Sequence, residues 1–422
     1  MSALKRHMTR AVAAALGLVL AAALAGCTNS GGPETIRFAF PKPESLPFMT
    51  EQVNKYNASQ DEVHVVLDTS ATATMVAGFV RGTPPDIALN NYNHETSRFV
   101  DHCVLSDLSD TPAAQTIRPE LGVYMDQYGT CPGRTSALPF SVMAAGVIYN
   151  KEIFAEHGVE VPQTWDEFIA ACERFKAAGV TPIYATYAEP WTVGQGLYDY
   201  TVGGTLDTVS FFEKLHAEGV DVGPDAPVSF EKDQAEPVDR MLQLTQYVNS
   251  DAASRGYPDG NTAMAQGKAA MYMQGPWALS EIAKTSPDLQ VGTFPLPMTN
   301  DPADAKVRIN VDLAAWIPEG SAHQEAARKF LDYLYQPEVI GAYNAEQLGF
   351  DPTTSAVSPT DPRILGLAPY VDANKVYQGP SVLMPRAIPL MNYTQSLVLG
   401  ESPEKILRTI DADFARLAFR QQ

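Results

Sequence analysis

Hydrophobic and polar positions alternate between two patterns in the first hundred residues. Short hydrophobic runs bounded by turn residues predict strands at 35–40, 63–68 and 87–89. Helices are predicted between them, at 48–56 after Pro47 and at 72–81 before Gly82. Strand–helix order of this kind is typical of parallel strands covered by helices. We therefore expect an α/β fold.

The rest of the chain continues the alternation with a long helical middle. Further strands are predicted at 147–150, 182–186 and 308–318. Residues 193–266 are mostly helical by their hydrophobic spacing, and Ser402-Pro403 opens a final helix. Two pairs of residues fit capping boxes at helix starts, namely Thr164 with Glu167 and Ser321 with Gln324.

The most informative stretch is residues 267–279, GKAAMYMQGPWAL. Gly267 suits a helix end, because glycine tolerates the left-handed conformation. Residues 269–274 alternate as a strand, and Gly275-Pro276 stops it. Trp277 then follows the carboxyl end of that strand, where open α/β sheets bind ligands. The alternative is a core tryptophan at a strand-to-helix corner.

Residues 1–26 have the pattern of a lipoprotein signal peptide. A basic start is followed by an apolar run at 11–25, which is too short to span a bilayer comfortably. The run ends in Leu-Ala-Gly-Cys, so Cys27 is the expected lipidation site and would carry fatty acids such as palmitate. Residues 27–33 then form a flexible tether. The alternative is an ordinary signal peptide with an incidental cysteine.

Charge and motifs exclude several classes of function. The 422 residues are 45% hydrophobic and carry 49 acidic against 30 basic side chains, for a formal net charge of −19. Such a chain repels phosphate backbones, so we expect no nucleic-acid partner. Walker, HExxH, Gly-x-Ser-x-Gly and dinucleotide motifs are missing, and the histidines lack metal-ligand spacing. We expect no cofactor, metal or catalytic residue, although paired carboxylates of a glycosidase stay open.

The cysteines that follow the leader fall into two kinds. Cys103 and Cys131 flank one acidic, loop-rich segment, and export favours a disulfide between them over two reduced thiols. Cys172 lies within a predicted helix and is expected to be an inert core residue.

Several segments, in order, resemble the maltose-binding-like solute-binding proteins (family 1), the sugar-binding lipoproteins of bacterial ABC importers. They are GTPPDIAL at 82–89, GVIYNKEIF at 146–154, VPQTWDEF at 161–168, EPW at 189–191, the 267–279 stretch and FLDYLY at 330–335. The resemblance implies a periplasmic-binding-protein-like fold, with two α/β lobes joined by a multi-crossing hinge and a ligand cleft between them. The N-lobe would comprise residues 34–146 and 310–349, and the C-lobe residues 147–309 and 350–422.

The resemblance also implies a function and partners. The chain would bind a carbohydrate as a monomer, without catalysis, and deliver it to an ABC permease. It would be lipid-anchored in the cell membrane on the extracytoplasmic face. Alternatives are another solute on the same fold (an amino sugar, a polyol or a glycerophosphodiester), a lipid-anchored glycosidase, and a sensory or adhesin role.

Ligand-binding residues are carried over by position. Asn90, Asn91, Tyr92 and Asn93 follow a strand whose end faces the ligand in the family, although asparagine also favours turns. Glu189 matches a polar contact, and Trp191 and Trp277 match stacking aromatics. A tryptophan face covers the apolar face of a sugar ring, while amides and carboxylates bind its hydroxyls.

Three further residues are candidates for the cleft. Glu44 lies in the first strand-to-helix loop, Asp312 stands where relatives often have glycine, and Arg386 lies in a loop that reaches the cleft in relatives. A hinge role for Asp312 and a surface role for Arg386 are the alternatives. Met143 and Gln395 replace a carboxylate and a tryptophan of some maltodextrin binders. A di- or trisaccharide is therefore expected rather than a long dextrin.

Overall fold

The computed structural model describes residues 32–70, 72–126 and 129–421. The expected signal peptide and Cys27 lie outside these residues. Among the helices of the described ranges, none combines the length and hydrophobicity needed to cross a membrane.

The strands agree closely with the sequence pattern in the first hundred residues and differ from it more in the rest of the chain. In chain order they are β1 Glu34–Ala39, β2 Val63–Asp68, β3 Ile87–Asn91, β4 Leu138–Asn150, β5 Thr181–Tyr184, β6 Ala269–Gln274, β7 Val291–Phe294, β8 Val307–Trp316 and β9 Val376–Gln378. The bounds of β2 and β6 are as predicted. β4 is much longer than the predicted 147–150, and β7 and β9 were not predicted.

Helices cover the sheet throughout. The first half contains Leu46–Ser59, Thr72–Arg81, His94–Asp101, Pro112–Thr116, Gly122–Asp126, Lys151–Glu156, Trp165–Ala177, Pro190–Thr192, a π-helical turn Val193–Tyr198 and Asp199–Thr205. The second half contains Thr208–Glu218, Phe230–Leu244, Tyr257–Ala265, Pro276–Thr285, Gln324–Leu334, Pro337–Glu346, Ala368–Asp372, Pro380–Leu383, Leu390–Val398 and Pro403–Gln421. The last of these is the final helix expected after Ser402-Pro403.

The sheet has the order β2-β1-β3-β8-β4-β6-β5, with β7 also pairing with β4 and β9 with β8. β1 is parallel to β2 and β3, as the strand–helix order predicts. β8 runs antiparallel to both β3 and β4. The fold is therefore a mixed α/β sheet of the periplasmic-binding-protein type.

β4 and β8 each change partners along their length. β4 pairs with β8 from Leu138 to Ala145, and from Gly146 onwards it lies between β6 and β7. β8 pairs with β9 up to Ile309 and with β3 from Leu313. The two strands therefore cross from one lobe to the other, and we propose that the boundaries 146/147 and 309/310 lie at these changes of partner.

Two hydrophobic cores support the two sides of this arrangement. One packs β1 against the helices Leu46–Ser59 and Gln324–Leu334, with Phe38 and Phe330 in edge-to-face contact at 5.0 Å between ring centroids. The larger core surrounds β4 to β7 and continues to the other face of β3 and β8. β6 lies inside this core with both of its faces covered, and all of its residues are buried.

The two predicted capping boxes have different outcomes. Thr164 Oγ1 accepts from the Glu167 amide at 3.2 Å, as predicted, while the Glu167 carboxylate accepts from the Gln163 amide. The second box was wrong, because its helix begins at Gln324 itself. Ser321 Oγ instead donates to the Asp86 carboxylate at 2.7 Å, and it accepts from the backbone amide two residues further along the chain.

Cys103 and Cys131 form a disulfide, with their Cα atoms 5.3 Å apart. Cys172 is a free, buried cysteine on the helix Trp165–Ala177, and burial raises the pKa of its thiol. A raised pKa keeps the thiol protonated and unreactive.

Replacing both Cys103 and Cys131 with serine should lower the free energy of unfolding by about 3–4 kcal/mol, since the disulfide closes a loop of 28 residues. Denaturant unfolding with and without a reductant would measure this. The reductant should bring the wild type down to the level of the double variant and leave the variant unchanged. Equal stability of the wild type and the double variant in the absence of reductant would contradict the prediction.

Candidate functional site

A cavity of about 590 Å³ lies where the two sets of strands meet. One wall comes from the β1, β3 and β8 side and from the helix Pro337–Glu346, through Lys42, Asn91, Asp312, Glu346 and Gln347. The opposite wall comes from segments around β5 and β6, through Trp191, Gln195, Tyr257, Trp277, Ser280, Glu281 and Lys284. Met143, in the part of β4 that crosses between lobes, lines the cavity between them.

Trp277 is placed by the turn that ends β6. Its ring folds back over Gly275, where an added Cβ would lie only 2.2 Å from a ring carbon, so a larger residue there would displace the ring. The indole N–H donates to Gln274 Oε1 at 3.3 Å, and Gln274 Nε2 donates to the Thr192 carbonyl at 3.2 Å. Buried Gln274 thus ties Trp277 to the helix that carries Trp191.

Trp191 lies at the start of the helix Pro190–Thr192, just after β5. Its ring packs on Tyr257, with centroids 5.0 Å apart and planes at 57°. The indole N–H donates to Glu189 Oε2 at 2.7 Å. Both tryptophans are half-buried, and both indole N–H groups have protein acceptors, so the apolar part of each ring is what remains for a ligand in the cavity.

The polar wall is built around Asp312 on β8. Its carboxylate forms an ion pair with Lys42, and both residues are 8% exposed. Asn91 Nδ2 donates to the Asp312 carbonyl at 3.0 Å and to Oδ1 at 3.1 Å. A buried ion pair needs such extra hydrogen bonds to offset the loss of hydration. The pair therefore presents fixed donors and acceptors to a ligand.

Charges of both signs line the cavity, and the cations are paired. Lys284 lies 2.6 Å from Glu281 on the helix Pro276–Thr285, and Lys42 is paired with Asp312. Glu346 adds a further carboxylate. Behind the aromatic wall, burial raises the pKa of the Tyr272 phenol well above its usual range, so it stays protonated. This lining fits a polar ligand without a strong negative charge.

Four of the residues expected from the sequence meet in this cavity, namely Asn91, Trp191, Trp277 and Asp312. Asn90 does not reach it, which corrects the expectation for that residue. It is fully buried, accepts from Trp316 Nε1 at 2.7 Å and donates to Thr96 Oγ1 at 3.2 Å. Neighbours on a strand point to opposite faces, so Asn90 and Asn91 cannot share the cavity.

Tyr92 and Asn93 also lie away from the cavity lining. The Tyr92 hydroxyl donates to the Met125 carbonyl at 3.0 Å, and burial raises the pKa of this phenol. Asn93 Oδ1 accepts from the Thr96 amide at 3.2 Å at the start of the helix His94–Asp101. The geometry therefore favours the alternative interpretation of Asn93, in which the asparagine stabilises a turn.

Two further candidates, Glu189 and Arg386, fall outside the lining as well. Glu189 lies behind Trp191 and Tyr257, and Arg386 is exposed in the loop after the helix Pro380–Leu383. Glu44 lies in a short turn, Pro43–Ser45, next to Lys42, but its side chain is outside the described structure.

Sequence reasoning missed most of the polar lining. Ser280, Glu281 and Lys284 follow Trp277 at helical spacing, so once Trp277 is placed in a site this pattern could have found them. Lys42, Gln195, Tyr257, Glu346 and Gln347 carry no local signal of this kind. Across the described ranges, His, Cys, Asp and Glu side chains nowhere gather in threes to hold a metal ion.

Residues 42–340 match the family described as bacterial extracellular solute-binding protein. The match covers most of the chain, which therefore belongs to this family of receptors.

Relatives of the chain carry names of the same kind. The chain is 29% identical to the multiple sugar-binding protein of Streptococcus mutans over 211 residues, 49% of each chain, and so spans about half of that relative. It is 24% identical to the uncharacterized ABC transporter extracellular-binding protein PH1214 of Pyrococcus horikoshii, over 73% of this chain and 67% of that one.

Among solved structures, RafE of Streptococcus pneumoniae, in its apo form, shares the fold at a TM-score of 0.79 and 21% identity, over 93% of this chain and all of RafE. RafE in complex with raffinose aligns at 0.75 and 22% identity, over 91% of this chain and 99% of that chain.

Trp277→Ala should weaken binding of a cavity ligand by about 10- to 100-fold, because it removes a large aromatic face. Trp277→Phe, which keeps a smaller ring, should lose less. Isothermal titration would measure both, and Trp165→Phe, outside the cavity, is the matched control. Unchanged affinity in the alanine variant would place the ligand elsewhere.

Proposed function

We propose that this protein is the carbohydrate receptor of an ABC importer. It captures a small, neutral oligosaccharide between its lobes and delivers it to a membrane permease. The observation that carries the proposal is the pairing of Trp191, Tyr257 and Trp277 on one wall with the Lys42–Asp312–Asn91 group on the other.

The chemistry of the two walls matches the two surfaces of a sugar. Pyranose rings have an apolar C–H face that packs on aromatic rings, and a rim of hydroxyls that needs both donors and acceptors. The names of the multiple sugar-binding protein and of RafE bound to raffinose support the same solute class. The cavity of about 590 Å³ is within the range of compact ligand sites, in keeping with a di- or trisaccharide.

The charges weigh against two of the alternatives, a glycerophosphodiester ligand and a glycosidase. A glycerophosphodiester would bring a negative charge, but both lining lysines are already paired with carboxylates. In the same pairs, Asp312 and Glu281 are bound to lysines, and a paired carboxylate is less suited to act as the acid or base of a glycosidase. We therefore propose binding without turnover.

Closure would couple binding to transport. Since the walls belong to different lobes, only a closed state offers both sets of contacts, and the ligand favours that state. The permease would recognise the closed form and receive the sugar.

We also propose that Cys27 is acylated and holds the receptor on the extracytoplasmic face of the cell membrane. The basic, apolar and small-residue regions of the leader support this, and residues 27–33 supply a tether before β1. An acylated terminus with more than one chain gives stable anchoring.

The function is tested by isothermal titration with neutral mono- to hexasaccharides, glucosamine and glycerophosphocholine. We expect the tightest binding to a di- or trisaccharide and weak binding of glycerophosphocholine, because of its phosphodiester charge. The sugar should be chemically unchanged after prolonged incubation with the protein. Preference for the longest chains would reject the size assignment. Release of shorter sugars would reject a pure receptor.

The anchor is tested by Cys27→Ser expressed with its own leader. Most of the protein should move from the membrane to the soluble fraction and lose incorporation of labelled palmitate. Ser30→Ala, which keeps the cysteine, is the matched control. Retention of Cys27→Ser in the membrane fraction would argue for another form of attachment.

A further inference from the structure

Glu189 connects two separate parts of the aromatic wall through its two carboxylate oxygens. Oε2 accepts from the indole N–H of Trp191 at 2.7 Å. Oε1 accepts from the backbone N–H of Tyr257 at 2.8 Å, at the first residue of the helix Tyr257–Ala265. A carboxylate at the start of a helix also interacts favourably with the exposed N–H groups there.

Both residues that Glu189 holds line the cavity, whereas Glu189 does not. The two rings pack on each other with centroids 5.0 Å apart. Their relative placement therefore depends on one carboxylate that bridges segments 68 residues apart.

Gly256 leaves the space that this carboxylate needs. A Cβ on Gly256 would lie 2.6 Å from Glu189 Oε1, and its three nearest heavy-atom neighbours would all belong to the Glu189 side chain. The backbone of Gly256 is extended, so alanine is tolerated there without backbone strain. An alanine would push the carboxylate and little else.

We propose that Glu189 is a positioning residue that sets the angle between Trp191 and Tyr257 before ligand arrives, and so determines affinity without contacting the sugar. This inference rests on the proposed function, because the aromatic pair is taken as the surface for the sugar face. Holding the rings in place beforehand reduces the ordering that binding would otherwise require.

The test compares Glu189→Ala, Glu189→Gln and Gly256→Ala with the wild type, using raffinose as the titrated sugar. Glu189→Ala should weaken binding about tenfold, as for loss of a hydrogen bond to a charged group. Glu189→Gln, with one acceptor oxygen, should be intermediate. Gly256→Ala should move affinity in the same direction with little loss of thermal stability. Glu213→Ala, an exposed glutamate on the helix Thr208–Glu218, is the matched control.

A ligand-free measurement separates this inference from the proposed function. Trp165 and Trp316 are buried, so in a Trp277→Phe background acrylamide quenching of fluorescence reports mainly on Trp191. Quenching should rise when Glu189→Ala or Gly256→Ala is added. Absence of raffinose binding in the wild type would count against the trisaccharide assignment, and the quenching result would still decide the role of Glu189.

A thermodynamic cycle gives the sharpest discrimination. Trp191→Phe removes the N–H that donates to Glu189, so the affinity losses of Glu189→Ala and Trp191→Phe should combine to less than their product. The losses of Glu189→Ala and Asn91→Ala, which lies on the opposite wall, should multiply. Lower stability with unchanged affinity and quenching would reduce Glu189 to a helix cap and overturn the inference. Lost affinity with unchanged quenching would make it a direct ligand contact and overturn it equally.

Discussion

The antiparallel pairing of β4 with β8 is the constraint on which the rest of the structure depends. The register holds Met143 opposite Asn310. Close to this pair, β4 passes from β8 to β6 and β7, and β8 passes from β9 to β3. Phe350 adds mutual backbone hydrogen bonds to Val142, so a third segment is fixed at the same place. Arg308, at the far end of this pairing, is buried with Asp199 at 2.9 Å. Because both lobes are attached to these strands, the cavity walls are placed relative to one hydrogen-bonded ladder.

Different interactions hold the side chains of the two walls in place. On the aromatic wall, each indole N–H is bonded to a nearby side chain, Gln274 or Glu189, which leaves ring faces as the contact surface. On the polar wall, an ion pair with an asparagine supplies directional groups. One lobe would therefore supply the apolar surface that packs against the ligand, and the other lobe would supply the groups that form hydrogen bonds with it.

Local signals in the sequence were sufficient for the first parallel strands, for β6 and for the turn that presents Trp277. Such features depend on residues a few positions apart, which spacing reveals. The side of β3 that faces the cavity was not predictable in this way, since a shift of one residue exchanges Asn90 for Asn91. Lys42 and Asp312 are 270 residues apart, and only the completed sheet brings them together. The short strand β9 likewise exists only because β8 offers an edge.

The bond from Gln274 to the Thr192 carbonyl has a bearing on how such a receptor can diversify. It makes the segments carrying Trp191 and Trp277 a single unit, in which altering one support disturbs the other. Glu346 and Gln347 instead line the cavity from the end of the helix Pro337–Glu346, a segment apart from both this unit and the Lys42–Asp312–Asn91 group. New sugar preferences are therefore more accessible to evolution, and to redesign, by exchanging residues on the polar side while the tryptophan platform is inherited intact.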